Sequence, residues 1–408
     1  MRAPFYPDRP VPPELFAGRK DELAEIKRSL ESTSQGRAKN LLVASEPGLG
    51  KTSLALFVQH IVTNSDELSR QFSIPTKKGY FVTICNVGCC KTLIHVPITI
   101  IESFRKSRKP LSTKVADLAK FLQSLGLGPF SVGVKPSKVV SDQEIYPQLV
   151  ARLIEILTDA QSLYDAIIVI LDETEVISDI EGVAVFLKSV VERLFQGDYN
   201  NISFFLNITP EGVRRLASQK EGVLRTFDTV ELRPMTREEI NELIIKALHS
   251  TEPLKNIERD VVENIFFLSD GLPEIVQLMG ECVFEADDDN NINMRDFRKA
   301  MLGCDKTKGV LGKIKDKYLP EITEEVLLNK CCTKLLYEMA ESETVVISFS
   351  ALRKKMWYAE STEIEKCLKM LESLNIIKKI PCSGEATYQF VKHVAKVWFK
   401  IKSTTHFI

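Results

Sequence analysis

Short apolar runs alternate with amphipathic stretches in the part of the chain before Pro234. The apolar runs are bounded by polar or turn-forming residues and have the length of buried strands: Asn40–Ala44, Tyr80–Cys85, Ala166–Leu171, Ile202–Ile208 and Val230–Leu232. Apolar residues recur at helical spacing in three further segments: Arg19–Leu30, Ser53–Val62 and Pro147–Thr158. Strands that alternate with helices predict an α/β domain with a parallel sheet. In residues 110–143, Gly126, Gly128 and Gly133 indicate a turn or hairpin.

After Pro234 the pattern becomes helical. Four helices are predicted: Thr236–Ala247, Asp260–Leu268, Pro273–Ala286 and Met294–Leu302. Thr236 and Glu239 have the spacing of a capping box at the start of the first one. Together these helices predict a small helical lid domain.

The last hundred residues combine helices with a hairpin. A charged connector over residues 305–318 precedes three predicted helices: Glu324–Ala340, Phe349–Met356 and Thr362–Leu374. Ser348 or Ser350 would cap the second helix. Two strands around a turn at Ser383–Gly384 follow. Three helices and a β-hairpin predict a winged helix.

These patterns divide the chain into four segments. Residues 1–14 are predicted to form an extended arm, because five prolines exclude a regular helix there. Residues 15–235 are predicted to form the α/β P-loop domain, residues 236–304 the helical lid and residues 305–408 the winged helix.

Composition narrows the class of protein. Hydrophobic residues make up 44% of the chain and charged residues 27%, which is ordinary for a folded domain and excludes compositional disorder. No run of about 18 apolar residues occurs, so we expect neither a transmembrane helix nor a membrane partner. Nine scattered cysteines indicate a reducing cytoplasm, and the spacing of Cys85, Cys89, Cys90 and His95 fits no common zinc pattern.

A phosphate-binding loop lies between the first predicted strand and the helix after it. Glycines in Ser45–Thr52, S-E-P-G-L-G-K-T, let backbone N–H groups approach a phosphate, and the helix dipole adds to the attraction. Lys51 would reach the β- and γ-phosphates of a nucleoside triphosphate, and Thr52 would bind Mg²⁺. The usual pattern begins with glycine where this chain has Ser45, and a glycine turn that only caps a helix is the alternative. The predicted loop residues are Pro47, Gly48, Leu49, Gly50, Lys51, Thr52 and Ser53.

An acidic pair follows the apolar strand Ala166–Leu171. The carboxyl ends of parallel strands are where α/β folds bind ligands. There Asp172 would hold Mg²⁺ and Glu173 would polarise the attacking water as a general base. A solvated strand end is the alternative. Asn207 or Thr209, at the end of the next strand, would orient the water or sense the γ-phosphate, unless either only caps a turn.

One further segment carries a family resemblance. Phe16–Leu23, F-A-G-R-K-D-E-L, resembles the F-x-G-R-x-x-E-L opening of AAA+ and STAND-type ATPases. With its order of P-loop domain, lid and winged helix, nearly the whole chain is similar to origin-recognition initiator ATPases and to prokaryotic STAND relatives of the MNS clan. The resemblance implies an α/β P-loop domain of the ASCE type, ATP rather than GTP as ligand, and contact of Gly18 and Arg19 with the adenine.

The resemblance implies two more site residues. The Arg-Thr-Phe segment at Arg225 resembles the place where many AAA+ proteins carry an arginine finger, although a surface arginine or a pair with Glu221 is equally open. Ser269–Pro273 resembles the G-x-P motif of STAND proteins, which implies that Pro273 adjoins the nucleotide. The alternative is that Pro273 only starts a helix, since proline is common in the first helical turn. Initiators carry an arginine in the corresponding helix, and this chain has none there.

Two functions are therefore expected. The first is an ATP-binding, slowly hydrolysing switch that controls self-association in the ATP state or recruits a protein partner. The alternative is an initiator-like ATPase that loads or marks duplex DNA.

The charge of the winged-helix region bears on DNA binding. Residues 305–408 carry 18 Lys and Arg against 13 Asp and Glu, and this positive balance suits DNA. Acidic residues in the third of its predicted helices, Thr362–Leu374, oppose DNA binding there, and in STAND proteins this domain often packs on the ATPase domain instead. A P-loop kinase is disfavoured, because no second substrate motif is visible.

Overall fold

A computed structural model describes residues 3–64, 66–72, 77–88, 90, 92–106, 142–177, 180–219, 225–304, 307–380 and 385–405. The chain forms two compact units. The sheet unit comprises Pro10–Arg233, and the helical unit comprises Met1–Arg9 together with Pro234–Ile408. Within the described residues, none of the helices combines the length and the apolar character needed to cross a bilayer.

The sheet unit is built on a parallel sheet. Its five strands are β1 Asn40–Ala44, β2 Tyr80–Asn86, β3 Ala166–Asp172, β4 Ile202–Ile208 and β5 Phe227–Glu231. The strand order is β2-β3-β4-β1-β5, and every pair is parallel. Every residue of β1, β3 and β4 is buried, because these central strands are covered on both faces. The sheet confirms the predicted α/β fold class, and the predicted last strand is shifted toward the amino terminus.

Helices flank this sheet. They are α1 Lys20–Ser34, α2 Lys51–Thr63, α3 Glu67–Phe72, α4 His95–Lys106, α5 Asp142–Gln161, α6 Ile180–Gln196 and α7 Pro210–Gln219, with 3-10 turns at Pro13–Leu15 and Thr174–Val176. Helix α5 begins before Pro147, so this proline lies inside the helix; reading it as a helix start was wrong, although proline removes a hydrogen bond there. The predicted turn or hairpin at Gly126–Gly133 lies outside the described residues.

Four helices open the C-terminal part of the helical unit, as predicted. They are α8 Arg237–His249, α9 Arg259–Ser269, α10 Pro273–Ala286 and α11 Met294–Leu302, accompanied by the paired short strands β6 Asn256–Ile257 and β7 Asn291–Ile292. The capping box of Thr236 and Glu239 is present at the start of α8. Phe5 of the arm packs on α10 at Gly280, and Tyr6 N–H donates to Gln277 Oε1 at 2.9 Å.

The rest of the helical unit has the elements of a winged helix. They are β8 Gly303–Cys304, β9 Thr307–Lys308, α12 Val310–Tyr318, α13 Glu324–Leu328, α14 Lys330–Ala340, β10 Ile347–Ser348, α15 Phe349–Lys355, α16 Ser361–Ser373, β11 Ile377–Ile380, β12 Thr387–Phe390 and α17 His393–Thr405. Strands β10, β12 and β11 form one antiparallel sheet.

Two predictions in this region were wrong. The charged connector contains helix α12, whose Val310 and Ile314 are buried. The single helix predicted over Glu324–Ala340 is broken at Asn329, because the Asn329 side chain accepts a hydrogen bond from Cys332 N–H and starts a new helix. Ser348 is the cap of α15. The turn at Ser383–Gly384 lies outside the described residues.

Candidate functional site

The phosphate-binding loop joins β1 to α2. Gly48 (φ 84°) and Gly50 (φ 92°) take left-handed backbone conformations that only glycine adopts without strain. Ser45 precedes them, has no positive φ and is 2% exposed, with its N–H donating to Ile208 O at 3.0 Å. A serine therefore fits where the usual motif has glycine. Helix α2 begins at Lys51, and the N–H groups at the start of a helix attract an anion.

The ammonium group of Lys51 is held across the loop. Its Nζ donates to Ser45 O at 2.8 Å and lies 3.3 Å from Ser45 Oγ. A cation at this position would face the oxygens of a bound phosphate. Ser53, one turn into α2, accepts a hydrogen bond from Val11 N–H at 3.3 Å.

Three polar side chains meet beside the loop. Thr52 Oγ1 donates to Asp172 Oδ2 at 2.7 Å, and Asn207 Nδ2 donates to Asp172 Oδ1 at 2.9 Å. Asp172 is 3% and Asn207 is 2% exposed. Two neighbouring ligands of an octahedral Mg²⁺, each at about 2.1 Å, lie about 3 Å apart. The Thr52 and Asp172 oxygens are therefore spaced as two ligands of one Mg²⁺ would be.

Glu173 directly follows β3 and takes a left-handed conformation with φ 60°. Its carboxylate lies over Gly88 in the loop after β2, so close that a Cβ on Gly88 would be 2.2 Å from Glu173 Oε2. The parallel register of β2 and β3 brings these two loops together, since Asn86 pairs with Asp172. Glu173 is thereby placed at the same edge of the sheet as the phosphate-binding loop.

The structure distinguishes the two polar residues at the end of β4. Asn207 reaches Asp172, whereas Thr209 Oγ1 accepts a hydrogen bond from Gly212 N–H at 3.1 Å and caps α7. Thr209 thus has the turn-capping role that the sequence left open. Asn207 is the residue joined to the acidic pair.

The predicted adenine-contacting segment lies against α2. Phe16 stacks on Phe57, with ring centroids 4.4 Å apart. Gly18 (φ 70°) and Arg19 (φ 63°) are both left-handed. Arg19 is 4% exposed, and its guanidinium donates to backbone carbonyls, Leu49 O among them at 3.0 Å. Adenine contact by Gly18 and Arg19 stays a prediction.

Comparisons with known proteins bear on the fold. No protein-family model matches the chain, and no curated protein matches it. Among solved structures, the ORC2 protein of Aeropyrum pernix, solved as ADPNP-ADP complexes, has a TM-score of 0.52 at 14% identity and covers 98% of each chain. The chain is also similar to a Walker-type ATPase of Pyrococcus abyssi, with a TM-score of 0.48, 16% identity and coverage of 94% of this chain and 96% of that one. A third similar structure is the DNA complex of Aeropyrum pernix ORC1, with a TM-score of 0.46, 15% identity and coverage of 96% of this chain and 95% of that one.

The chain has the fold of an archaeal initiator ATPase. This confirms the predicted order of an α/β P-loop domain, a helical lid and a winged helix. At this level of identity the likeness concerns the fold alone, and the STAND-type features stay predictions.

Two further predicted site residues belong to other parts of the chain. Arg225 is exposed in the turn before β5, at the amino end of the strands, whereas the phosphate-binding loop follows their carboxyl end. Glu221, its suggested ion-pair partner, lies outside the described residues. Pro273 is the first residue of α10 and belongs to the helical unit. The roles of Arg225 and Pro273 remain predictions.

Sequence reasoning missed Gly88. The signal was present in the turn-forming triplet Asn86-Val87-Gly88 after β2, at the same end of the sheet as Asp172. Only the strand order shows that this loop lies beside Glu173 and not beside another strand.

Proposed function

We propose that the protein binds ATP with Mg²⁺ at the loop Ser45–Thr52 and hydrolyses the bond between the β- and γ-phosphates, which yields ADP and phosphate. The observation that carries this proposal is the chain of hydrogen bonds that runs beside the glycine-rich loop from the half-buried Thr52 through the buried Asp172 to the buried Asn207. Such an arrangement supplies hard oxygen ligands for Mg²⁺ next to backbone N–H donors for phosphate.

Each side chain then has a chemical role. Lys51 and the loop N–H groups bind the β- and γ-phosphates, while Thr52 and Asp172 hold Mg²⁺. Mg²⁺ would offset the negative charge that accumulates on the phosphate oxygens. Glu173 accepts a proton from the attacking water, and Asn207 orients that water or reads the γ-phosphate.

Calorimetric titration with ATP and Mg²⁺ tests this proposal. We expect binding to wild-type protein and a loss of affinity of about 100-fold or more in Lys51→Ala, because a charge-assisted bond to phosphate is removed. Lys39→Ala is the matched control, since Lys39 lies exposed at the start of β1 and pairs with Asp228 at 3.2 Å. Equal ATP affinity in Lys51→Ala and wild type would refute the proposal.

For the output of this ATPase, we favour duplex DNA bound through the winged helix. Six lysines of that region are exposed: Lys354, Lys355, Lys366, Lys369, Lys378 and Lys379. Trp357 is 81% exposed in the turn between α15 and α16, beside the basic end of α15. Exposed Glu363 and Glu365 on α16 oppose phosphate. We therefore assign the DNA contact to the β11 lysines and the end of α15.

Titration of labelled duplex at two salt concentrations tests the DNA proposal. We expect binding at about 50 mM salt that weakens steeply by about 200 mM, since phosphate contacts release counterions. The double variant Lys378→Ala/Lys379→Ala should lose affinity and reduce the salt slope by about two. The control Arg214→Ala/Arg215→Ala removes the same charge from α7 of the sheet unit and should bind like wild type. No binding at the lower salt concentration would exclude DNA as the partner.

A second candidate is a slow switch whose output is self-association or recruitment of a protein partner. It is favoured by the sequence of α10, which carries no arginine to sense the γ-phosphate. Gel filtration with and without ATP tests it: a shift to higher mass only with ATP supports the switch, whereas identical elution refutes nucleotide-controlled self-association.

A further inference from the structure

Arg19 combines burial with an unfavourable backbone conformation. It is 4% exposed and lies at φ 63°, directly before α1. A non-glycine residue in the left-handed region persists only where the surroundings over-determine it, and such residues cluster at functional sites. The left-handed backbone of Arg19 therefore makes its contacts worth following.

The Arg19 guanidinium joins two segments of the sheet unit that are far apart in sequence. One nitrogen, Nη2, donates to Leu49 O of the phosphate-binding loop at 3.0 Å. The other, Nη1, donates to Arg233 O and lies 3.3 Å from Glu22 Oε1. Because the guanidinium is planar and rigid, a shift of one carbonyl changes the geometry at the other.

Leu49 O is coupled to phosphate binding by covalent geometry. The Leu49 carbonyl and the Gly50 N–H belong to one planar peptide group. Gly50 is the residue before α2, where N–H groups are available to a phosphate. A phosphate that accepts from Gly50 N–H fixes the orientation of this peptide plane and so the direction of the carbonyl that Arg19 holds.

Arg233 is the last residue of the sheet unit, and Pro234 begins the helical unit. The preceding residue, Leu232, is tied to the sheet by its N–H, which donates to Ala44 O at 2.9 Å. On the helical side, Met235 N–H donates to Gly271 O at 2.8 Å. A Cβ on Gly271 would be 2.7 Å from Met235 O, so this second anchor is closely packed. The residues on each side of Pro234 are thus anchored within their own unit.

We propose that Arg19 is a positioning residue that transmits the state of the phosphate-binding loop to the connection at residues 233–235. This inference rests on the proposed ATP binding and adds its regulation. When nucleotide orients the Leu49–Gly50 peptide, the orientation of the Arg19 guanidinium changes with it. Arg233 O follows through its hydrogen bond to Arg19, and the backbone at residues 233–235 responds. Without the guanidinium, the loop still binds nucleotide but the connection does not respond.

Hydrogen–deuterium exchange on the full chain tests this coupling. The main variant is Arg19→Gly, because glycine suits φ 63° and so removes the side chain with its guanidinium without adding backbone strain. Arg19→Lys is the second variant, since its single ammonium nitrogen cannot hold both carbonyls in the fixed geometry of a fork. The control is Arg28→Ala on the same helix, where the Arg28 side chain is 72% exposed. The rate of amide exchange is measured in peptides that cover residues 45–54 and 229–238. Each measurement is made with and without a saturating concentration of a non-hydrolysable ATP analogue and Mg²⁺.

We expect nucleotide to slow exchange in both peptides of the wild type and of Arg28→Ala. In Arg19→Gly and Arg19→Lys, ATP affinity should fall about tenfold. At saturation, protection should remain over 45–54 and be lost over 229–238. If residues 229–238 stay protected in either Arg19 variant, the proposed coupling is wrong. It is also wrong if the wild type shows no protection there. Neither result affects the proposal of ATP binding. A wild type without protection over 45–54 would instead refute the proposed ATP binding.

Discussion

Glu173 is positioned by its contact with a glycine in a neighbouring loop. The carboxylate lies over Gly88, where any side chain would occupy the same space. Its left-handed backbone turns the residue sharply out of β3. If Glu173 is the general base, as proposed, it must lie within hydrogen-bonding reach of the attacking water, so a small displacement is expected to lower the rate strongly.

Gly88→Ala should therefore impair hydrolysis and spare binding. We expect Glu173→Gln to lower the ATPase rate by about 100-fold or more and Gly88→Ala to lower it by about tenfold, with ATP affinity unchanged in both. If Gly88 acts through Glu173, the double variant Gly88→Ala/Glu173→Gln should be no slower than Glu173→Gln alone. Additive losses in steady-state ATPase assays would contradict this.

Asp270 joins two elements of the helical unit. It ends α9 at φ 51° and accepts from His393 Nε2 at 2.7 Å, Lys396 Nζ at 3.1 Å and Lys400 Nζ at 3.5 Å, all from α17. Burial alone would raise the pKa of Asp270, but the hydrogen bond from His393 and the charges of Lys396 and Lys400 outweigh it and hold the pKa well below 3.8. The interaction therefore stabilises α17 on α9.

The pH dependence follows from the sign of this shift. Because the folded-state pKa is lowered, the stabilisation is fully present above the unfolded value near 3.8 and is lost as the pH falls below it. At neutral pH, Asp270→Asn should lower the free energy of unfolding of the helical unit by about 1–3 kcal/mol. The difference from wild type should narrow as the pH drops below about 4.

Tryptophan fluorescence during urea unfolding measures this effect. Both tryptophans, Trp357 and Trp398, lie in the helical unit, so the signal reports on that unit. Asp316→Asn is the control, because the pair of Asp316 with Lys308 is exposed and should contribute less than about 1 kcal/mol. A difference between Asp270→Asn and wild type that does not change with pH would show that the carboxylate charge is not the source of stability.

At the scale of the whole molecule, the location of Arg225 sets a condition on catalysis. It lies at the amino end of β5, and a strand of five residues is about 17 Å long. Arg225 therefore cannot reach a γ-phosphate held at the carboxyl end of the same sheet. If it acts as an arginine finger, it acts on a neighbouring copy.

Hydrolysis should then depend on assembly. We expect the ATPase rate per molecule to rise with protein concentration in the wild type. Arg225→Ala should lower the maximal rate by on the order of 10³-fold and leave ATP affinity unchanged. Adding Glu173→Gln protein, which retains Arg225, should restore hydrolysis by Arg225→Ala. Arg214→Ala, an exposed arginine on α7, is the control. A rate per molecule independent of concentration would exclude action between copies.

Local sequence alone marks much of the candidate nucleotide site. Residues of the phosphate loop are adjacent in the chain, and the acidic pair directly follows an apolar strand, so short-range patterns suffice to single out Lys51, Thr52, Asp172 and Glu173 as candidates. The same holds for the capping box at Thr236, which depends on residues three apart.

Only the tertiary structure decided the remaining contacts, because they join residues that strand order and packing bring together. Asn207 rather than Thr209 meets Asp172 through the pairing of β3 with β4. Gly88 meets Glu173 because β2 neighbours β3. The two backbone carbonyls that accept from Arg19, Leu49 O and Arg233 O, lie 30 and 214 residues away in the chain. Hydrophobic periodicity and secondary-structure propensity depend on residues that are close together in the sequence. They therefore carry no information about such long-range contacts.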